Sequence, residues 1–298
     1  MKTTNDMFPR LFNPLNDYLF YKVFGEKGDE VQLLGFLNAV LGRYGNDRFI
    51  SVDILENKTF TPEVIGDKAS ILDVRAILQG GTRINVEVQL RNRGNMDKRS
   101  LFYWSREYAA SLNEGQDYCE LPDVIAINIV NFNYLPSGDF HTCFHLREDR
   151  EKDLVLSGAL EIHFLDMVKY QKQAVKDNPD DPLHRWLIWF NENSPPELAA
   201  KVVKMDEAIQ AANERMVYVT GDKEAIRAYE MRMMALSDIT SERNYALKTG
   251  HAKGLAEGRA EGRAEEKLEI ARNSLVEGAS IEFIQRITGL DPEVIEKL

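Results

Sequence analysis

The residues best placed to do chemistry lie in the stretch 70–90, SILDVRAILQGGTRINVEVQL. Its first half alternates Leu72, Val74, Ala76 and Leu78 with Asp73, Arg75 and Ile77. Its second half alternates Ile84, Val86, Val88 and Leu90 with Asn85, Glu87 and Gln89. Period-two alternation predicts two strands, and a hairpin must match apolar face to apolar face, because a one-residue slip inverts every side chain. A three-residue loop, Gly80–Thr82, satisfies this and sets Asp73 opposite Gln89 with Glu87 on the diagonal. A five-residue loop also satisfies it and sets Asp73 opposite Glu87, whereas a two-residue loop sets Leu72 opposite Gln89 and is excluded. Either permitted register brings two carboxylates together on one face. Carboxylates that close repel each other. A hard divalent cation removes the conflict, and oxygen ligands suit Mg²⁺, with Mn²⁺ as the second choice. Such an ion polarises a phosphoryl oxygen and supplies a nucleophilic water.

The charge pattern points the same way. The chain of 298 residues carries 37 Lys and Arg against 48 Asp and Glu, a net charge of −11, which argues against a protein that coats nucleic acid indiscriminately. Between positions 83 and 106, however, Arg83, Arg91, Arg93, Lys98, Arg99 and Arg106 face only Glu87 and Asp97. A basic island directly after Glu87 is suited to hold a phosphodiester backbone over a metal, and these parts belong together in a metal-dependent nuclease. Lys68, Arg75, Arg91, Arg93 and Arg99 are candidate nucleic-acid contacts. Tyr103, four residues after Arg99 on one helix face, fits either a phosphate contact or an ordinary surface pairing.

The elements that must position these groups follow from periodicity. Three- and four-residue spacing of apolar residues over 14–42 predicts helix, interrupted at Gly25–Asp29. Strands are expected near 48–56, 71–78 and 83–90. A helix is expected over Met96–Leu112, and a strand buried on both faces over Asp123–Val130. Phe140–Leu146 and Glu161–Met167 alternate again. From about 183 the signal is helical, with a break at Ser194–Pro196. The first half thus reads as a mixed α/β core, and Trp186, Trp189 and Phe190 as helix core.

The ordered set of these residues also resembles a known family. Asp73 followed by Glu87-Val88-Gln89 is similar to the motif of the PD-(D/E)XK nuclease superfamily. More narrowly, the chain resembles the Rpn family of recombination-promoting nucleases, also labelled transposases. The pattern takes in Asn16-Asp17-Tyr18-Leu19-Phe20-Tyr21-Lys22, Gly66-Asp67-Lys68, Arg99-Ser100-Leu101-Phe102-Tyr103-Trp104, the Glu-Gly-Arg tail and Ile287-Thr288-Gly289-Leu290. The resemblance implies an α/β fold, a PD-(D/E)XK nuclease-like central mixed sheet flanked by helices, followed by an all-helical C-terminal region. It implies Asp73 and Glu87 as metal ligands, the Val88 carbonyl as a third, and hydrolysis of DNA phosphodiesters. Asp17 matches a position that adds an acidic group to the site, and it also reads as a helix-terminus residue favoured by the macrodipole. The family motif ends in Lys where this chain has Gln89. Glutamine positions water by hydrogen bonding but brings no charge, and Lys68, Arg75 or Arg99 are the cations available to supply it. That substitution keeps a second class in play, a catalytically inactive nuclease-fold protein acting by DNA binding or self-association.

The rest of the chain is divided as a nuclease-like core over 1–172, a helical region over 173–240 and a tail over 241–298. In the tail Gly250, Gly254, Gly258 and Gly262 recur every four residues with Ala252, Ala256, Ala260 and Ala264 between them. Glycine costs roughly 1 kcal/mol per helical site relative to alanine. The segment therefore reads as a flexible tether or a self-associating helix, the second implying a homo-oligomer. Ser280 is expected to cap a helix ended by Gly289, and Asp291-Pro292 to start another. Asp291, Glu293 and Glu296 suit phosphates badly, so this end reads as a packing module. Cys119 and Cys143 are expected to be small buried hydrophobes, free of disulfides. His141, Cys143 and His145 point one way on their strand, but no second Cys or His pair has zinc-site spacing, so no zinc is expected. No apolar run approaches the roughly 20 residues of a membrane span, Met1–Arg10 lacks a signal-peptide core, and a cytoplasmic protein is expected.

Overall fold

The computed structural model describes residues 12–55, 73–173 and 177–298. Six strands form one mixed sheet: β1 (Val52–Ile54), β2 (Val74–Leu78), β3 (Arg83–Gln89), β4 (Val124–Val130), β5 (His141–Arg147) and β6 (Val155–Asp166). Their spatial order is β1-β2-β3-β4-β6-β5. β3, β4 and β6 run parallel, while β1, β2 and β5 are antiparallel to their neighbours. The central place of β4 explains its unbroken apolar run: all seven residues are buried, covered on both faces. Asn128, the one polar interruption, is satisfied, donating from Nδ2 to the His163 carbonyl at 3.0 Å and accepting from Ser100 Oγ at 2.9 Å.

The β2–β3 hairpin takes the five-residue loop. Val74 pairs with Val86, Ala76 with Ile84 and Ile77 with Arg83. Gly80 and Gly81 turn the chain with φ of 90° and 92°, a region closed to most L-residues. The register, continued by one residue, sets Asp73 across from Glu87.

Two layers cover the sheet. On one face Ile84, Val86 and Val88, with Ile125, Ile127 and Ile129, join a large core. That core includes α1 (Asp17–Phe24), α2 (Glu30–Val40), α5 (Pro182–Phe190), α6 (Pro196–Met205) and α7 (Glu207–Thr220). Asn16 starts α1 by accepting from the Tyr18 and Leu19 backbone N–H groups. Trp186, Trp189 and Phe190 are buried as expected. On the other face α3 (Met96–Ala109) covers Ala126, Val130, Leu160, Ile162 and Phe164. A short α4 (Met167–Lys172) follows β6.

The helices after 173 do not stand apart. α5, α6 and α7 share their buried side chains with α1, α2 and the sheet, so no boundary falls at 172/173. The chain forms two compact units, one ending at Leu236, the other Ser237–Leu298. α8 (Lys223–Val276) is a continuous helix of 54 residues. In the second unit positions 241–260 are exposed throughout, and among the described residues nothing beyond the helix's own neighbouring backbone would approach a side chain added at Gly250, Gly254, Gly258 or Gly262. The tail is helical here rather than a loose tether. At its end Ser280 caps α9 (Ile281–Thr288) by accepting from Phe283 N–H, Gly289 closes it in the left-handed conformation, and Asp291 caps α10 (Pro292–Ile295). Ala271, Ile284 and Ile295 form a small core there.

The cysteines depart from expectation. Both are exposed, Cys119 in a short turn at Tyr118–Glu120 and Cys143 on the edge strand β5. A half-covered edge strand leaves one face open, which period-two alternation cannot foresee.

Candidate active site

Glu87 sits on the central strand β3, on the face turned toward α3, and is 1% exposed. Burial pushes its carboxyl above the usual carboxylate range; Arg99 opposes that shift and the charge of Asp73 adds to it. Arg99 Nη2 lies 2.5 Å from Glu87 Oε1, and the same oxygen accepts from Gln89 Nε2 at 2.9 Å. The second oxygen, Oε2, is fully buried and accepts from no donor among the described residues. An unsatisfied buried carboxylate oxygen is costly and calls for an explanation. Asp73 immediately precedes β2, is half-buried, and its charge acts on both Glu87 and Tyr103. A divalent cation shared by Asp73 and Glu87 would satisfy Oε2 and offset the repulsion, so the residues present fit such an ion. Val88 turns its side chain into the large core, which leaves only its backbone carbonyl for a ligand role.

The C-terminal end of β3 opens into a cleft lined by Asp17, Val88, Gln89, Leu90, Arg91, Arg93, Arg99, Arg232 and Leu236. Burial, with the like charges of Arg99 and Arg232, lowers the Arg93 guanidinium below its usual range, while Glu87 and Asp17 oppose this. Crowded guanidinium groups in an acidic protein need an anion, and a phosphate is the group they fit best. Arg99 also lies over the Tyr103 ring, 5.6 Å from its centroid, so Tyr103 backs the arginine that grips Glu87. Burial raises the Tyr103 hydroxyl above its ordinary range.

Two expected site residues are placed differently. Asp17, the first residue of α1, gives both carboxylate oxygens to Arg232: Nε lies 3.0 Å from each, and Nη2 2.6 Å from Oδ2. Its carboxylate is thus neutralised by a buried arginine rather than offered to a metal. Arg75 is ion-paired with Glu107 of α3, which also attracts Arg83 at 3.7 Å. It ties β2 to the helix layer instead of facing nucleic acid. Lys68 lies outside the described residues. Arg91 is exposed and lines the cleft. Arg232 was missed by the sequence reading. Its signal is a single charge among Ala225, Ala228 and Ala235, the small buried residues of one face of α8.

Gln89 holds Glu87 through its amide nitrogen, which leaves its carbonyl oxygen as an acceptor at the cleft. The sequence model of the PD-(D/E)XK nuclease family transposases matches residues 14–246. The chain belongs to that family. No curated protein and no solved structure matches it significantly. As a PD-(D/E)XK chain it has the α/β nuclease-like sheet that the resemblance implies, with Asp73 immediately before β2 and Glu87-Val88-Gln89 on its antiparallel partner β3. Nucleases of this superfamily generally use divalent metal ions, and a nuclease family implies a DNA substrate. Among the described residues no helix is long and apolar enough to cross a membrane.

Proposed function

We propose that this chain is a Mg²⁺-dependent DNA endonuclease that hydrolyses phosphodiester bonds, with Mn²⁺ as the alternative ion. The observation that carries the reading is the buried, unsatisfied Oε2 of Glu87 beside Asp73, under a cleft rich in arginine. Asp73, Glu87 and the Val88 carbonyl would hold the ion. When bound, it would supply Lewis-acid stabilisation of the phosphoryl oxygens and an acidified water. The chain's own residues do the rest. Arg93 and Arg99 bind and orient the phosphate, and Arg91 extends that contact outward. Gln89 fixes the rotamer of Glu87 through Nε2, and its Oε1 accepts a hydrogen bond from water on the cleft side. Arg99 supplies the positive charge that the family's Lys would bring, from α3 rather than from β3.

Plasmid incubated with purified protein and Mg²⁺ should be nicked or linearised, and Asp73→Ala or Glu87→Ala should abolish this. Cleavage that survives both substitutions overturns the assignment. One observation favours a second reading, a silent DNA-binding or self-associating protein: Arg99 and Gln89 already occupy Oε1 of Glu87. Calorimetric titration with Mg²⁺ and Mn²⁺ separates the two. Binding lost in Glu87→Gln favours the enzyme, and absence of binding in the wild-type chain favours the silent reading.

We further propose a homo-oligomer formed through the exposed Gly/Ala helix of the second unit, since its glycines leave room for close approach of another backbone. Removing residues 241–298 should then lower the solution mass to that of a monomer. An unchanged oligomeric state ends that proposal. The proposed setting is cytoplasmic.

A further inference from the structure

The second chemically loaded place in the molecule lies at the far margin of the sheet, on the edge strand β5 and its neighbour β6. The antiparallel register sets Cys143 directly opposite His163. Because residues two apart share a face, His145 accompanies Cys143 on β5, and Glu161 accompanies His163 on β6. Cys143 Sγ lies 3.6 Å from His163 Nε2, 4.0 Å from Glu161 Oε1 and 3.3 Å from His145 Nε2. His163 Nε2 and Glu161 Oε1 are 2.6 Å apart. The ligand atoms of Cys143, Glu161 and His163 all fall within 4.8 Å of one another.

The sulfur–nitrogen separations match a small soft-metal site, and the 2.6 Å His163–Glu161 contact is a hydrogen bond that opens when an ion enters. Around tetrahedral zinc, with Zn–S about 2.3 Å and Zn–N about 2.0 Å, a sulfur and a nitrogen ligand stand about 3.5 Å apart. The arrangement also includes the hydrogen bond that orients a ligating imidazole. Nδ1 of the buried His163 is 2.9 Å from Nε2 of His141, which leaves Nε2 of His163 aimed at the sulfur and the carboxylate. Three histidines, a thiol and a carboxylate on adjoining strands are more polar groups than an edge ladder requires. They lie on the face opposite Phe144 and Phe164, so packing does not account for them.

We propose that Cys143, Glu161 and His163 bind one zinc ion, with His145 as fourth ligand and His141 as a positioning residue for His163. Binding breaks the Cys143 S–H bond and forms a Zn–S bond, the thiol proton passing to solvent, while His163 shifts its proton from Nε2, where Glu161 accepts it, to Nδ1, where His141 accepts it. One thiolate and one carboxylate then neutralise the dication. The site joins the edge strand to β6, so its expected role is structural, and it is separate from the carboxylate pair on β2 and β3.

The test uses the full chain, stripped of metal under reducing conditions and titrated with Zn²⁺ against a chromophoric competitor. Wild type and Glu87→Ala should each bind one zinc tightly, and Cys143→Ser and His163→Gln should bind at least about 100-fold more weakly. Cys143 is exposed, so Cys143→Ser should keep its circular dichroism spectrum, which guards against simple misfolding. With Co²⁺ as the probe, the wild-type complex should show a thiolate-to-metal charge-transfer band that Cys143→Ser lacks. Zinc binding unchanged in Cys143→Ser, zinc binding lost in Glu87→Ala, or a cobalt complex without the thiolate band would each overturn the proposal.

Discussion

The pair Asp73 and Glu87 and the cluster around Cys143 are built by one device and differ in nearly everything else. In each, side chains two apart on one strand meet side chains on the antiparallel neighbour. The first lies at the β2–β3 pair, its central carboxylate buried under a helix and gripped by arginine. The second lies on the edge strand, with an exposed sulfur among imidazoles. Oxygen ligands with surrounding guanidinium groups select a hard ion and an anionic substrate. Sulfur and nitrogen with few charges nearby select a softer ion and no substrate. Position in the sheet thus decides access and electrostatics, while residue type decides which ion each place would suit.

The comparison can be broken most directly at Glu87. Glu87→Ala should lower DNA cleavage by about 10³-fold or more, as expected when a group that stabilises transition-state charge is lost; equal cleavage by the variant would remove the distinction. The next effect is on stability. Arg232→Met leaves the buried Asp17 unpaired and should cost about 3–5 kcal/mol in urea unfolding. The double variant Asp17→Asn, Arg232→Met should recover part of that loss, and an additive result would contradict the pairing.

Asp29 shows what burial does to a carboxylate away from either site. Burial raises it from an ordinary 3.8 to about 7, against the pull of Arg215, the Glu26 N–H and Gln32. The folded state then holds this proton more tightly than the unfolded chain. The stability it contributes is full below about pH 4 and is lost as pH rises to about 7, on the order of a few kcal/mol. Asp29→Asn should flatten that fall in urea midpoints, and an unchanged pH profile would rule the group out. The smallest effect is at Gln89. Gln89→Ala removes one hydrogen bond to a charged group and should cost roughly tenfold in cleavage rate, with metal affinity only slightly changed. A loss as large as that of Glu87→Ala would make Gln89 more than a positioner of its neighbour.

Much of this was legible before the coordinates, because it depends on local pattern. The two acids, their shared face and the caps at Ser280, Gly289 and Asp291 all follow from spacing and turn chemistry. The hairpin register did not, since loops of three and five residues preserve the same faces and only the tertiary packing chooses. Arg232 and Asp17 are 215 positions apart, and nothing local couples them. The edge cluster was dismissed for want of a second ligand pair. Its missing partners stand on β6, two residues apart like those on β5, and only strand pairing brings them to Cys143. Asp17 matches an acidic site position through the resemblance and Arg75 is a candidate nucleic-acid contact, and in the fold each is claimed by a buried partner of opposite sign.

The turn at Gly80 and Gly81 therefore sets which residue faces Asp73 across the hairpin, although it lies at the other end of the strands. Pairing the strands two residues out of step, around the loop Gly80–Thr82, would keep every apolar side chain on its proper side. The same shift would slide one acid about 7 Å along its neighbour, twice the rise of a strand residue. A chain held in that register would keep every motif letter on the same face, with Asp73 facing Gln89 and Glu87 reached only along the diagonal.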